Sequence, residues 1–139
     1  MSNNLQANSL ISNSNNYFLS EPIELSKKDY KDLKVGSWLK IEQNSFNILI
    51  NNKDKYIYAK VFNKDGYLLI KKSKQKIKKA KKDSQYFSIK YTLDKELINT
   101  IMVLTKFPIK AVLLKGKKDY AYIELYIQDS IYIEIKELI

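Results

Sequence analysis

The side chains that most often perform catalysis or hold metal ions are scarce in this sequence. Its 139 residues include no histidine, no cysteine and no arginine, so all twenty-five basic residues are lysines. The commonest general base and every thiolate nucleophile are therefore missing. Candidate carboxylate pairs are Asp29 with Asp32 and Asp94 with Glu96, and both pairs suit local turn or helix structure. We therefore expect no enzymatic activity, no cofactor and no metal site.

Positive charge is concentrated in residues 71 to 82, which read KKSKQKIKKAKK. This segment holds eight lysines and no acid, whereas the whole chain has a net charge of +10. One interpretation is a site for a polyanion or an acidic partner; the other is a solvated linker or long hairpin tip. The candidate binding residues are Lys71, Lys72, Lys74, Lys76, Lys78, Lys79, Lys81 and Lys82.

Aromatic residues are the second feature that bears on nucleic acid. Eleven tyrosines, five phenylalanines and one tryptophan lie mostly in strand-like text, and such side chains can stack on single-stranded bases. The same tyrosines alternate with isoleucine and leucine, a pattern that packing on a sheet also favours. Since lysine lacks the planar fork of arginine, a nucleic-acid-binding protein of this composition would show little sequence specificity.

The elements that must carry these residues are predominantly strands. The stretches SFNILIN, KYIYAKV and GYLLIKK follow one another before the lysine segment, and the pair Asp65-Gly66 predicts a hairpin turn. A second hairpin is expected at Gly116, and Gly36 precedes another strand. QYFSIKYT, FPIKAVLLK, DYAYIELY and DSIYIEIKEL predict further strands after the segment. The fold class is therefore mostly β, of the α+β kind.

One amphipathic helix is expected at about residues 93–104. Thr92 is suited to cap its start and Pro108 to set its end. Its apolar stripe has the helical period and consists of Leu93, Leu97, Ile101 and Leu104.

Two stretches of the chain resemble each other, residues 48–62 and residues 112–126. Each has an apolar run, a lysine-rich turn and a Tyr-x-Tyr pair, so that Tyr56 and Tyr58 match Tyr120 and Tyr122. The match indicates either duplication of a small β-barrel or meander module or similar meanders arising independently.

This organisation divides the chain into four parts. We expect a disordered tail at residues 1–16, a first β module at 17–72, a basic linker or hairpin at 73–84, and a second β-α-β-β-β module at 85–139. The Asn- and Ser-rich tail has little apolar surface to bury. It is either inert or a docking or export peptide.

Residues 21–70 resemble the SpoA (surface presentation of antigens) module of flagellar motor-switch proteins and of cytoplasmic-ring proteins of type III secretion. The stretch PIEL from Pro22 to Leu25, LKVGSWLKI from Leu33 to Ile41, and ILINN from Ile48 to Asn52 follow its pattern. Ser37 stands where the pattern has aspartate, and Asn52 where it has glycine. Residues 107–137 are the candidate second copy.

A second, shorter resemblance concerns Leu33 to Ile41 alone. This stretch is also similar to the amino-terminal β-barrel of flagellar brake proteins. The chain lacks the arginines with which the neighbouring PilZ domain of those proteins binds cyclic di-GMP.

The SpoA resemblance implies a bacterial structural or adaptor protein that acts by assembly. SpoA modules pair through intertwined strands and build rings, so a cytoplasmic homo- or hetero-oligomer, peripheral to a membrane-embedded machine, is expected. The chain has no apolar run long enough for a membrane span. The alternative is a lysine-dependent nucleic-acid-binding protein. If the SpoA resemblance holds, some apolar strand residues form an interface, and the candidates are Trp38, Ile48, Ile50, Tyr122 and Ile133. Otherwise these residues fill one monomeric core.

Overall fold

The computed structural model describes residues 16–53, 55–94 and 101–139, and these form eleven strands and one short helix. The strands in the first half are β1 (Asn16–Ser20), β2 (Ile23–Glu24), β3 (Trp38–Ile41), β4 (Ser45–Asn52), β5 (Lys55–Lys64) and β6 (Tyr67–Lys72). The second half contributes β7 (Tyr86–Thr92), β8 (Ile101–Lys106), β9 (Ile109–Lys115), β10 (Lys118–Ile127) and β11 (Ile131–Leu138). The helix, α1, spans Lys27–Lys31. The expected mostly-β fold class is confirmed.

All the strands belong to one antiparallel sheet that does not close into a barrel. Its order is β3-β11-β10-β9-β7-β1-β4-β5-β6-β8, and β2 adds to β7 beside this path. The strands on both sides of the lysine segment therefore share a single hydrogen-bonded ladder.

The strand order repeats itself on either side of the central β1–β7 pair. β1 is followed outwards by β4, β5 and β6, and β7 is followed outwards by β9, β10 and β11. The two outermost strands are exchanged: β8, from the second half of the chain, pairs with β6, and β3, from the first half, pairs with β11. Each half therefore completes the sheet of the other.

The pairing register places the centre of this repeat between Leu19 and Lys90, which face each other across β1 and β7. Leu49 and then Tyr58 continue the row from Leu19. Val112 and then Tyr122 continue it from Lys90. Tyr58 and Tyr122, which the internal sequence match aligns, thus hold corresponding positions.

A single apolar core lies on one face of the sheet and spans both halves. Alternation along each strand sends every second side chain inwards, as in β4, where Phe46, Ile48 and Ile50 are buried. Burying one such side chain contributes about 1.5–3 kcal/mol. The other fully buried large residues include Phe18, Phe87, Leu68, Ile70, Ile89, Leu113, Ile123, Leu125 and Ile127.

The hairpin turns form where glycine predicts them. Asp65 and Gly66 join β5 to β6 with φ of 55° and 88°, the left-handed region that two-residue hairpins require. The Gly66 N–H donates to Asn63 Oδ1 at 2.8 Å. The turn between β9 and β10 likewise has Gly116 at positive φ.

The helix expected at residues 93–104 is wrong from Ile101 onwards. Ile101 to Leu104 belong to β8, Leu93 and Asp94 are not helical, and residues 95–100 lie outside the described residues. Residues Ile101, Val103 and Thr105 are β-branched and alternate with Met102 and Leu104, so the same text fits a strand. Pairing with β6 satisfies the backbone of that strand, and this tertiary contact outweighs the helical period.

The helix α1 occupies the stretch where a polar turn or helical turn is expected. Ser26 caps it, because its Oγ accepts the N–H of Asp29 at 3.1 Å. No helix in the described part of the chain is long and apolar enough to cross a membrane.

Candidate binding surfaces

The carboxylates of the two candidate pairs lie at the short helix α1 or on the exposed surface, where the structure describes them. Asp29 lies in the first turn of α1, where its charge favours the helix dipole, and Asp32 is the residue that ends the helix. Asp94 is exposed, and Glu96 lies outside the described residues. Among the residues that the structure describes, no group of three or more acidic side chains could hold a metal ion.

The lysine segment continues from β6 into an irregular connection across the outer face of the sheet, the face opposite the core. We call residues 73–85 the lysine strap. The N–H of Ser73 donates to the Tyr58 carbonyl at 2.9 Å, and the N–H of Lys81 donates to Glu24 Oε1 at 3.3 Å. Between these anchors the strap passes over β5, β4 and β1 to reach β7.

The strap presents its charges to solvent. Of the eight candidate lysines, Lys71 and Lys72 end β6, and the other six belong to the strap; all eight are exposed. None of these eight lysines forms a salt bridge within the described residues. The ion pair found there joins Lys136 to Glu134 at 3.5 Å. The strap backbone from Lys76 to Ala80 also forms no hydrogen bond there. The strap therefore offers both free cations and free main-chain groups.

A cavity of about 700 Å³ lies between the strap and the outer face. We call it the strap groove. Ile77 and Ala80, the only apolar residues of the strap, line it from above, and both are half-buried. Its apolar floor consists of Leu19, Leu49 and Leu114 from β1, β4 and β9.

The polar lining of the strap groove is mainly cationic and phenolic. Lys78 and Lys79 come from the strap, Lys90 from β7 and Lys117 from a turn, against one acid, Asp119. Three tyrosines, Tyr17, Tyr58 and Tyr86, also line the groove, together with two serines, Ser20 and Ser88. The Nζ of Lys90 stands 5.0 Å from the ring centroid of Tyr17, so a cation already covers one face of that ring.

The five residues expected at an interface fall into two groups. Ile48, Ile50 and Ile133 are fully buried in the core, so any interface they form is between the two halves of this chain. Trp38 and Tyr122 are 55% and 50% exposed. Trp38 contacts Tyr126, with ring centroids 6.2 Å apart, and Tyr122 projects from the outer face of β10.

The two ends of the sheet carry free strand edges, because β3 pairs only with β11 and β8 only with β6 among the described strands. Ile101 and Val103 project from β8 and are 48% and 59% exposed. This surface is not predicted from the sequence, because the helical period assigns these residues to a helix. The alternation of β-branched residues from Ile101 to Thr105 was the signal that could have found it.

Two tyrosines are poorly placed to ionise. Burial, and secondly the Asp94 carboxylate, raise the pKa of Tyr91 above 10.0. Burial, and secondly Tyr86, raise the pKa of Tyr30 in the same direction. Tyr91 packs on Phe18 in the core, with ring centroids 5.4 Å apart, and its position is structural.

Comparison with protein-family models finds no match to this chain, and comparison with curated proteins finds no similar protein. The SpoA resemblance therefore depends on the chain itself. The stretch PIEL spans β2, LKVGSWLKI ends in β3, and ILINN forms the second part of β4.

Proposed function

We propose that this protein is a non-enzymatic structural or adaptor protein that acts through protein–protein assembly. Its proposed setting is a cytoplasmic ring of the flagellar motor or of type III secretion. The observation that carries the proposal is the pair of free sheet edges, of which β8 exposes Ile101 and Val103.

The free edge of β8 is poorly protected against pairing. Native edge strands usually carry charges, prolines or bulges that prevent another strand from adding to them. β8 reads IMVLTK, and its one charged residue is Lys106 at the end. Its register with β6 shifts between Val103 and Lys106, so Ile101 to Val103 carry neither a charge nor a bulge. A strand of a second protein can therefore extend the ladder here, with main-chain hydrogen bonds supplying affinity.

The exchange of strands between the halves supports the link to SpoA modules. Those modules pair through intertwined strands, and here β3 and β8 each complete the ladder of the other half. On either side of the Leu19–Lys90 pair, β4, β5 and β6 also occupy the same places in the sheet as β9, β10 and β11. This symmetry favours duplication of one module over independent resemblance of two meanders.

A charge placed on the β8 edge tests the proposal. Replacing Val103→Lys adds a cation to an exposed position, so the fold should tolerate it, while a charge on an edge strand opposes the addition of another strand. We expect the wild-type chain to run as a dimer or larger species in size-exclusion chromatography with light scattering. The variant should shift towards the mass of one chain, 16.3 kDa.

Tyr56→Lys is the matched control, because Tyr56 is 65% exposed on β5 and lies away from both sheet ends. It should leave the assembly unchanged. An equal loss of mass in both variants would show a general effect of added charge and would contradict assembly through β8.

The exposed strap lysines favour a second candidate function, lysine-dependent binding of nucleic acid with little sequence specificity. All six carry uncompensated charge among the described residues, which suits a phosphate backbone. Such binding should weaken steeply as salt rises, whereas assembly through apolar strand contacts should not.

A further inference from the structure

We propose that the strap groove binds an extended segment of a partner protein in which acidic residues alternate with apolar ones. This inference rests on the proposed function, since such a segment would belong to a protein that this chain assembles with. It adds a second surface, separate from the free edge of β8, and it states the chemistry of the partner.

The size and lining of the groove suit a ligand rather than a packing defect. Its volume of about 700 Å³ falls in the range of about 300–1,000 Å³ typical of binding pockets. Its floor of Leu19, Leu49 and Leu114 is apolar, although it lies on the face opposite the core. Apolar side chains of a ligand would therefore be removed from water there.

The charges around the groove select an acidic ligand. Lys78 and Lys79 line it from the strap and Lys90 from the sheet, and none forms a salt bridge in the described part of the chain. Asp119 is the one acid in the lining. The lysine charges therefore complement carboxylates placed over an apolar floor.

The free main chain of the strap favours a peptide over other acidic ligands. Residues 76–80 belong to no helix or strand and form no main-chain hydrogen bond within the described residues, so their N–H and carbonyl groups can pair with an added strand. Along such a strand successive side chains point to opposite faces. Apolar residues would meet the floor, while the acidic ones would point away from it, towards the strap lysines.

Nucleic acid fits this groove less well. Single strands bind by stacking bases on open aromatic faces, yet the ring of Tyr17 is already covered by Lys90 at 5.0 Å. Aliphatic side chains form the floor and give bases no stacking partner there, so of the described lining only Tyr58 and Tyr86 have rings that no lysine covers.

Fluorescence anisotropy with three probes tests the proposal. The probes are a short fluorescein-labelled peptide that alternates glutamate with leucine or valine, the same peptide with glutamine for glutamate, and a short labelled oligodeoxythymidine. We expect saturable binding of the acidic peptide to the full chain. The glutamine peptide should bind at least about tenfold more weakly, because several ion pairs of about 0.2–1 kcal/mol each are lost.

Two paired charge reversals separate groove binding from diffuse attraction. The double variant Lys78→Glu/Lys79→Glu reverses charges that line the groove and should weaken peptide binding at least about tenfold. The control Lys74→Glu/Lys82→Glu makes the same change in net charge on the same strap, at exposed lysines that neither line the groove nor anchor the strap. It should weaken binding less than about threefold.

The contrary results are distinct. The groove is not a peptide site if the acidic peptide fails to bind. The same conclusion follows if both double variants lose peptide affinity equally and oligodeoxythymidine competes with the peptide. Failure of assembly through β8 would appear instead as a wild-type chain of monomeric mass. A chain that assembles yet ignores the peptide refutes this inference alone, and a monomer that binds it refutes assembly alone.

Discussion

Ile133 and Tyr122 lie on the paired strands β11 and β10 but face opposite sides of the sheet. The sequence places both among apolar strand residues, yet Ile133 is fully buried and Tyr122 is half exposed. Only the register of the sheet decides which face each side chain meets, because a shift of one residue exchanges the faces. An interface expected from apolar residues alone therefore mixes core with surface.

This difference predicts unequal effects on stability. Ile133→Ala should lower the free energy of unfolding by about 2–5 kcal/mol, since it leaves a cavity in the core. Tyr122→Ala should change it by no more than about 0.5 kcal/mol, as exposed substitutions usually do. Urea denaturation of both variants measures this, and similar losses for the two would show that Tyr122 is part of a buried contact.

Tyr91 predicts a loss of stability at alkaline pH. Because burial and Asp94 raise its pKa in the folded chain above 10.0, the unfolded chain releases the phenolic proton first as pH rises. The stability contributed by the protonated ring is thus complete below pH 10 and declines as pH rises through the folded pKa. Replacing Tyr91→Phe removes this titration, so the variant should gain stability relative to wild type above pH 10.

The measurement is urea denaturation of both chains well below pH 10 and just above it. Because every lysine is common to the two proteins, their titration cancels in the comparison. A difference in unfolding free energy that stays constant across this range would contradict the assignment.

At the scale of elements, the sequence predicts hairpins well and long-range pairings not at all. Asp65-Gly66 and Gly116 mark turns by local chemistry, and both turns form as expected. The exchange of β3 and β8 between the halves depends on contacts far apart in sequence. No local pattern encodes it.

The internal sequence match aligns β10 correctly with β5 but misaligns β9 with β4 by one residue. Tyr58 and Tyr122 correspond as aligned, but a register shift between Asp119 and Ala121 displaces β9 against β4. As a result Ile48 corresponds to Ala111 rather than to Val112. A bulge places one extra residue in a strand. The residue types around it show no sign of this, so the sequence alignment does not reveal it.

The exchanged strands predict that the halves stay together when the strap is cut. A site for a specific protease inserted between Lys79 and Ala80 would yield pieces 1–79 and 80–139. These should remain one complex, because four pairings join them: β1–β7, β2–β7, β6–β8 and β11–β3. Light scattering of the cut protein under native conditions measures this.

The outcome against this account would be two species of half mass after cleavage, each folded by circular dichroism. That result would mean that the halves are independent modules linked only by the strap. The uncut chain with the inserted site serves as the control for the insertion itself.

At the scale of the whole molecule, the sheet is nearly symmetric while its surface is not. The strap leaves β6 and covers the outer face beside Leu19, Leu49 and Tyr58. In the corresponding row of the other half, Lys90 lines the groove beneath the strap. Val112 and Tyr122 line a different cavity that contains no strap residue. Two similar halves thus present different surfaces, which allows one chain to contact two different partners.

The charge distribution has the same asymmetry. Composition alone predicts a cationic segment, but its position over an apolar groove follows from the strand order. Because β6 and β7 lie on opposite sides of β1, β4 and β5, the connection must cross the sheet. The sequence therefore identifies the lysines of the candidate site, and the topology supplies the apolar residues beneath them.

Assembly of this chain is tested by its mass from light scattering, measured on the purified protein at low and high salt and with and without short DNA and RNA. We expect a dimer or larger species of 16.3 kDa chains that persists at high salt and is unchanged by nucleic acid. A monomer that joins nucleic acid at low salt and releases it at high salt would contradict this expectation, and would make the lysine strap the site of function.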